Sequence, residues 1–443
     1  MVKITQNVEA AYEVESVYGS PPGSNLFHLG LLDTFDPRQV ERSVTPVPSI
    51  GQSTDAHHAL GPLGVTVPLK VACNGTGWKQ LLGHAIGEST VDSYKHGNKL
   101  TTGVDSLAVL ARETGGDFTL VTGVVPNEVT LTADYTTGGY ITCEATCTGY
   151  YSLDEADANF DGFLGDDYSS VNFPSAPSAD PLLPTDLSVT AGLAASTKGL
   201  SIDGPAGSYV EVGEKYIQAF NANGTLNTDF DGDGIMDLTN GSFDTVTKIS
   251  TLIENDSNWG STVLGSGGAE LSQNLLKGIY YTGADADEDE TDGSQANIYA
   301  ATDADGTGMT TTFTNLKTVE LKIANNNTPI SGRATGDDSS TKFLLNNAIS
   351  RGKADITLDL TMTAEDETYY DIYHAGTTIP LIRLDFGSEG SIALTNGTIT
   401  AFSRPLTPGG EIVDTMSIKF RGAGNYKNYS AYAISSDITL TPS

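Results

Sequence analysis

The chain has 443 residues, with 56 Asp or Glu against 23 Lys or Arg and a formal net charge of −33. That excess excludes wrapping nucleic acid by counterion release, which needs Lys and Arg. It suits either an acidic wall that repels phosphate or a surface bathed in very salty solvent, where long-range repulsion is screened. The length suffices for two or three domains with good cores. The 49 glycines, with abundant Thr, Ser, Asp and Asn, predict a mainly β fold rich in turns.

Met1 to Ala10 carries no apolar segment of the secretory kind, so a soluble, non-exported chain is expected. No apolar run approaches a membrane span. Residues 1–24 read as an extended arm broken at Tyr18-Gly-Ser-Pro-Pro-Gly23. The first β domain, counted with this arm, runs to residue 150. It holds an alternating strand at Val65–Val71, a short helix around Trp78–Ala85, and a hairpin from Val129 through Gly138-Gly139 to Ala145. His57-His58 beside Asp55 falls in a stretch, Gly51 to Gly61, that reads as a flexible loop. Cys143 and Cys147 lie on one face of a strand, roughly 13 Å apart at about 3.3 Å per residue. That spacing is too wide for a disulfide, so they read as small buried hydrophobes.

Composition shifts at residue 151 to Asp, Gly, Ser, Pro and Asn, marking an inserted β-rich acidic domain over residues 151–312. Its strongest motif is Asp229-Phe-Asp231-Gly-Asp233-Gly234-Ile-Met-Asp237. Oxygen ligands at positions one, three, five and nine, with Gly at six for the sharp turn, match a calcium loop of the EF-hand or dockerin kind. Position twelve is Asn240 and not the bidentate Glu, so weak Ca²⁺ binding is expected. A second, less complete loop has Asp157, Asn159 and Asp161 before Gly162. The runs Asp285 to Asp292 and Asp303 to Gly306 lack ligand spacing and read as solvated loops. A short helix is predicted over Glu270–Lys277.

Residues 313–443 form a second β domain ending in an alternating strand, Tyr432–Leu440. Ile356–Met362, then Tyr369–Gly376, then Leu394–Phe402 and Gly409-Gly410 repeat the strand, helix and Gly-Gly hairpin of the first domain. Aligning Leu69 with Leu358 gives an offset of 289, and Gly138 with Gly409 an offset of 271. His84 and His374 then fall at matching places as helix-end or packing residues. No Gly-x-Ser-x-Gly elbow, Walker loop or zinc-protease helix is present, and an enzyme is not expected.

The arm Glu13–Gly23, the strand pair at Leu26–Gly30, the strand and helix of Val65–Ala85 and the two Gly-Gly hairpins together resemble the major tail tube proteins of long-tailed phages and haloarchaeal tailed viruses. Ser403 to Ile412 looks like that family's closing hairpin. The resemblance implies two tandem tube domains, each a β-sandwich or half-barrel with a short flanking helix. It further implies homotrimeric, pseudo-hexameric rings stacked into a tube, with other tail proteins, the tape measure protein and viral DNA as partners. The DNA would lie in the lumen without sequence-specific binding, and no membrane is involved. The implied location is the virion tail, assembled in the host cytoplasm, and the implied role is passage of the genome during ejection. A calcium-dependent β-sandwich adhesion protein, of the S-layer or decoration type, is the alternative. The acid excess is densest in the insertion, which points to salt as its larger cause.

Overall fold

Val65, Val67, Leu69 and Val71 alternate with Thr66, Pro68 and Lys70, and a period of two sends the first set inward and the second outward. The same rule builds the whole molecule, which is mainly β and antiparallel. The computed structural model describes residues 8–15, 18–19, 22, 26–36, 39–47, 57–86, 88–90, 93–96, 106–113, 118–154, 173–214, 216–228, 230, 234–238, 240–253, 258–282, 295–302, 309, 311–333, 344–350, 352, 355–406, 410–421 and 431–434.

The first unit begins with β1 (Val8–Val14), β2 (Phe27–His28), β3 (Leu32–Phe35), β4 (Gln39–Val47) and β5 (His57–Ala72). Helix α1 (Gly77–Ile86) follows, then a small hairpin of β6 (Glu88–Thr90) and β7 (Ser93–His96). β8 (Leu107–Glu113), β9 (Phe118–Asp134), β10 (Thr142–Gly149) and β11 (Tyr151–Asp154) complete it. A front layer runs from β3 and β4 through β5 and β10 to β9. A back layer runs β2–β1–β8–β9–β11, so the long β9 serves both layers. The stretch read as a loop at Gly51–Gly61 becomes strand from His57 onward, because pairing with β4 overrides the local glycine signal.

β12 (Ser188–Gly192) opens the second unit, and a separate body then intervenes. That body contains β13 (Ala194–Asp203), β14 (Tyr209–Val212), β15 (Tyr216–Phe220), β16 (Ile235–Asp237), α2 (Val246–Ile253), β17 (Gly260–Leu264), β18 (Gly278–Tyr281) and β19 (Gln295–Thr302). Its own core gathers Leu200, Val210, Ile217, Phe230, Ile249 and Trp259. The predicted helix at 270–277 is instead one 3₁₀ turn, Ser272–Asn274, leading into β18. The helix sits at α2, where Val246, Ile249 and Ile253 bury one face.

The second unit resumes with β20 (Thr311–Thr312), β21 (Leu316–Ala324), β22 (Thr328–Arg333), β23 (Leu344–Ser350) and β24 (Asp355–Thr363). It closes with α3 (Thr368–Ala375), β25 (Ile379–Asp385), β26 (Ser391–Ser403), β27 (Val413–Lys419) and β28 (Ala431–Ile434). Apart from the β6–β7 hairpin, which has no counterpart between α3 and β25, its wiring repeats that of the first unit. β12 pairs β20 and β25 as β1 pairs β2 and β8. β24 lies between β21 and β27 as β5 lies between β3 and β10, and β26 reaches both layers as β9 does.

Irregularities recur as well, which shared alternation alone would not produce. β3 slips against β5 between Leu32 and Thr34, and β21 slips against β24 between Leu316 and Thr318. β9 bulges opposite Thr146 and Cys147, and β26 bulges opposite Ser417 and Ile418. The backbone bonds Leu29 N to Ala10 O, Ala72 N to Leu31 O and Cys73 N to Ile141 O reappear as Phe313 N to Val189 O, Thr363 N to Asn315 O and Ala364 N to Ile412 O.

These anchors correct the strand alignment. Leu69 faces Ala145 and Leu360 faces Met416, so Leu69 matches Leu360 and not Leu358. A slip of two residues keeps every side chain on its face, so alternation could not reveal it. Carried into the helices, which start at Gly77 and Thr368, the same register matches His84 to Ala375. His84 is buried and His374 exposed, so the two histidines are not equivalent.

Each long strand bends between layers at a left-handed residue, Gly123 (φ 64°) in β9 and Asn396 (φ 50°) in β26. Gly123 N donates to Glu15 Oε1 at 2.7 Å, and a Cβ there would lie 2.4 Å from Tyr150 Cβ. Gly123→Ala is therefore expected to destabilise by more than the about 1–2 kcal/mol of left-handed strain alone, read in a urea melt. Asn396→Ala is expected to destabilise by about 1–2 kcal/mol in the same assay, since Ala incurs the left-handed strain that Asn tolerates.

Candidate assembly surface

The two units meet along a strand seam. β9 pairs β21, bringing Val129 opposite Ile323, Leu131 opposite Leu321 and Ala133 opposite Val319, all six fully buried. The front layers thereby join into one eight-position sheet, from β3 and β4 at one end to β26 at the other. Asn325 and Asn327 clamp the seam: Asn325 Nδ2 donates to Ala85 O at the end of α1 (2.9 Å), and Asn327 N donates to Asn127 Oδ1 (2.7 Å).

Helix α1 is buried along its whole length, covered by the β6–β7 hairpin of its own unit on one side and by β21 and β28 of the second unit on the other. Trp78 packs edge-on against Phe386, Lys79 Nζ pairs with Glu389 at 2.7 Å, and β28 pairs with β7. By contrast α3, the matching helix, has no buried residue.

The outward face of the eight-position sheet is polar and rich in threonine. One row across it reads Lys70, Glu144, Thr130, Lys322, Thr357, Lys419 and Thr398. The next reads Thr142, Thr132, Glu320, Asp359 and Ser417. Lys322–Glu128 and Lys419–Asp355 form ion pairs at 2.8 Å, both on exposed side chains and so of small energetic weight. Glu320 stands directly opposite Asp359, and like charges in a cross-strand pair oppose sheet stability. Asp359→Ser is expected to raise the unfolding free energy by about 0.2–1 kcal/mol at low salt, with the gain shrinking in molar salt.

A second polar centre joins the inserted body to the second unit. Glu214 and Lys277, both buried, come from the insertion, and Arg383 comes from β25. Arg383 Nε donates to Glu214 Oε1, Lys277 Nζ lies 3.8 Å from Glu214 Oε2, and Lys277 Nζ donates to Gln273 O at 2.6 Å. Burial, aided by the nearby Arg383 charge, lowers the Lys277 ammonium to about 7 against the pull of Glu214. Nothing in the sequence singled out this trio, whose members are 63 and 106 residues apart along the chain.

Of the predicted calcium ligands, Asp229, Asp231 and Asp233 lie outside the described residues, as do Asp157, Asn159 and Asp161 of the second loop. Asp237 is described, exposed, at the end of β16. Gly234 adopts φ 83°, the left-handed turn that position six requires, and Phe230 anchors the loop in the inserted core. Asn240 Oδ1 accepts from Ser242 N at 3.0 Å. Among the described residues no three His, Cys, Asp or Glu converge as a metal site. The three cysteines are buried free thiols, as the strand spacing predicted for Cys143 and Cys147. No described helix is long and apolar enough to cross a membrane.

No family model matches the chain, and no curated protein matches it. A solved structure described as the tail of an empty GTA particle, with C6 symmetry, is similar over 29% of this chain and 90% of its own. The identity is 14% and the TM-score 0.21. At that score the likeness is a record of partial overlap, and function has to come from the chain's own geometry.

Proposed function

We propose that this chain is a structural subunit of a viral tail tube, with three copies making a ring of six equivalent units. The carrying observation is the sheet built by two repeated units side by side, polar on its outward face and open at both ends. A sheet with two open edges calls for neighbours that pair them, and a heterologous edge-to-edge contact generates a ring when its rotation closes. The threonine-rich face lines the channel in this reading. Its acidic side chains outnumber its lysines, which keeps a polyanion sliding and not adhering. The inserted body, joined to the back layer through β12 and β20, lies on the outside of the tube.

Electron microscopy of the purified full chain tests this. Stacked rings with three chains each and a pore wide enough for duplex DNA are expected. A monomer at every concentration and salt, or a monomer that binds cells or glycans, would sink the proposal.

We further propose that the loop around Gly234 holds Ca²⁺ weakly. Its left-handed glycine and carboxylate spacing support this. Saturating calcium at about 100 times its Kd should stabilise the insertion by about 2.7 kcal/mol, and chelation or Asp231→Ala should remove that gain. An unchanged melt in both cases rejects calcium.

A further inference from the structure

The chain contains its own template for a contact it leaves unmade. In the first unit Lys79 and Leu82 of α1, and Val129 of β9, are all buried, Lys79 pairing with Glu389 and Val129 facing Ile323 of the second unit. The register that matches Gly77 to Thr368 puts Tyr370 and Tyr373 of α3 at the first two positions. The paired bulges put Phe402 of β26 at the third. Tyr370 and Tyr373 are 42% and 40% exposed. They cluster with Phe402 at ring separations of 5.7 and 6.1 Å, and the Arg404 guanidinium stacks over Phe402 at 5.7 Å. Leu406, three residues past the end of β26 and at the position of the buried Ala133 when the count is carried on, is 75% exposed. An aromatic patch thus stands where the first unit is covered by its neighbour.

We propose that this α3–β26 face seats the β3 and β4 edge of a second copy of the chain, in the register by which β9 takes β21. The occupant follows from the repeat. What covers α1 and β9 is a unit entering with β21, and the first-unit counterpart of β21 is β3 running into β4. Ala133 faces Val319 within the chain, so Leu406 faces Phe35 of the second copy. Thr130 faces Lys322, so Ser403 faces Gln39. The outer edge of β3, and that of the front-layer half of β26 (residues 398–403), have no strand partner among the described residues, and they end opposite sides of the sheet. The contact deepens the ring proposal and rests on it for closure at three chains, while the pairing itself needs only a second copy.

Cysteine cross-linking of the full chain tests the register. Leu406→Cys with Phe35→Cys, and separately Ser403→Cys with Gln39→Cys, are oxidised and run on a non-reducing gel. The two positions of each pair lie about seven strand spacings apart within one chain, roughly 34 Å along the sheet, so no disulfide forms inside a chain. The native thiols are buried, and burial pushes Cys143 up to about 12, which keeps it out of exchange. A ladder ending at a covalent trimer is expected for both pairs and absent from each single variant. Tyr370→Glu with Tyr373→Glu should abolish assembly while the monomer, having lost the ring contacts to Phe402, still unfolds in one cooperative step at a lower midpoint. Tyr373→Leu, which restores the residue type found at Leu82, should assemble as the native chain does. Rings that form without cross-linking overturn this interface and leave the tail reading standing. Cross-linked oligomers that never stack into tubes overturn the tail reading and leave the interface standing. A monomer under every condition overturns both.

Discussion

Replacing Glu214 with Gln is expected to cost about 3–5 kcal/mol, because it strands two cations in a site closed to water. The Lys277 and Glu214 side chains are 0% and 2% exposed, so solvent cannot take over the role of the lost carboxylate. The loss should depend on pH in a definite direction. The folded protein holds Lys277 at about 7, below the usual lysine value of 10.5, so between those limits the unfolded chain binds the extra proton. Stability from this group therefore rises with pH across that window and is lost as pH falls towards 7. In Glu214→Gln the ammonium has lost the partner that favoured it, so its value drops further. The variant should be hurt more at pH 6 than at pH 9. Adding Lys277→Met to Glu214→Gln removes one stranded cation and should recover part of the loss, since an apolar side chain is cheaper there than an unpaired charge. Urea melts at the two pH values read all of this; equal losses at pH 6 and pH 9 would mean that Lys277 is not the group in question.

The repeat was legible from residues 65–85 and 356–376 because a strand, a helix and a Gly-Gly turn differ in period and punctuation. Its register was not, because alternation is blind to a slip of two. Only pairing across strands, with matched bulges at Leu32–Thr34 and Leu316–Thr318, resolves Leu69 onto Leu360. The place of the insertion was also hidden. β12 is five residues long and gains its identity from β25, almost two hundred residues away in sequence. Buried character was visible for Cys143 and Cys147, whose spacing puts them on one strand face. The Glu214, Lys277 and Arg383 trio was invisible, since charged residues in an acidic chain read as solvated until a fold brings them together. The bare tyrosines of α3 carried a faint signal. Leu81-Leu82 in the first helix is answered by Ile372-Tyr373 in the second, and a tyrosine in place of a core leucine suits a face that is sometimes covered and sometimes wet.

The larger test of the architecture is Leu321→Ala at the seam. Leu321 is fully buried, flanked by Leu131 across the unit boundary and Leu358 within its own unit. Truncation there removes apolar area and leaves a cavity bounded by two strand backbones that cannot collapse, so about 2–5 kcal/mol is expected. Both units draw on one hydrophobic cluster, which runs from Ala10 to Phe420, whereas the inserted body has its own. The chain carries two tryptophans that separate these bodies. Trp78 lies under the second unit against Phe386, and Trp259 packs on Phe230 inside the insertion. In a Trp259→Phe background, Leu321→Ala should lower the denaturant midpoint reported by Trp78 as one cooperative step, with no separate transition for either unit. In a Trp78→Phe background the midpoint reported by Trp259 should move far less, since its core holds none of the seam residues. Leu131→Ala should cost a similar amount, and the double variant less than the sum, because the two side chains share one contact across the boundary. Equal shifts at both tryptophans would show that the insertion unfolds with the units. Full additivity of the two alanines would show that β9 and β21 do not meet in the register described, and the template for the contact between copies would fall with it.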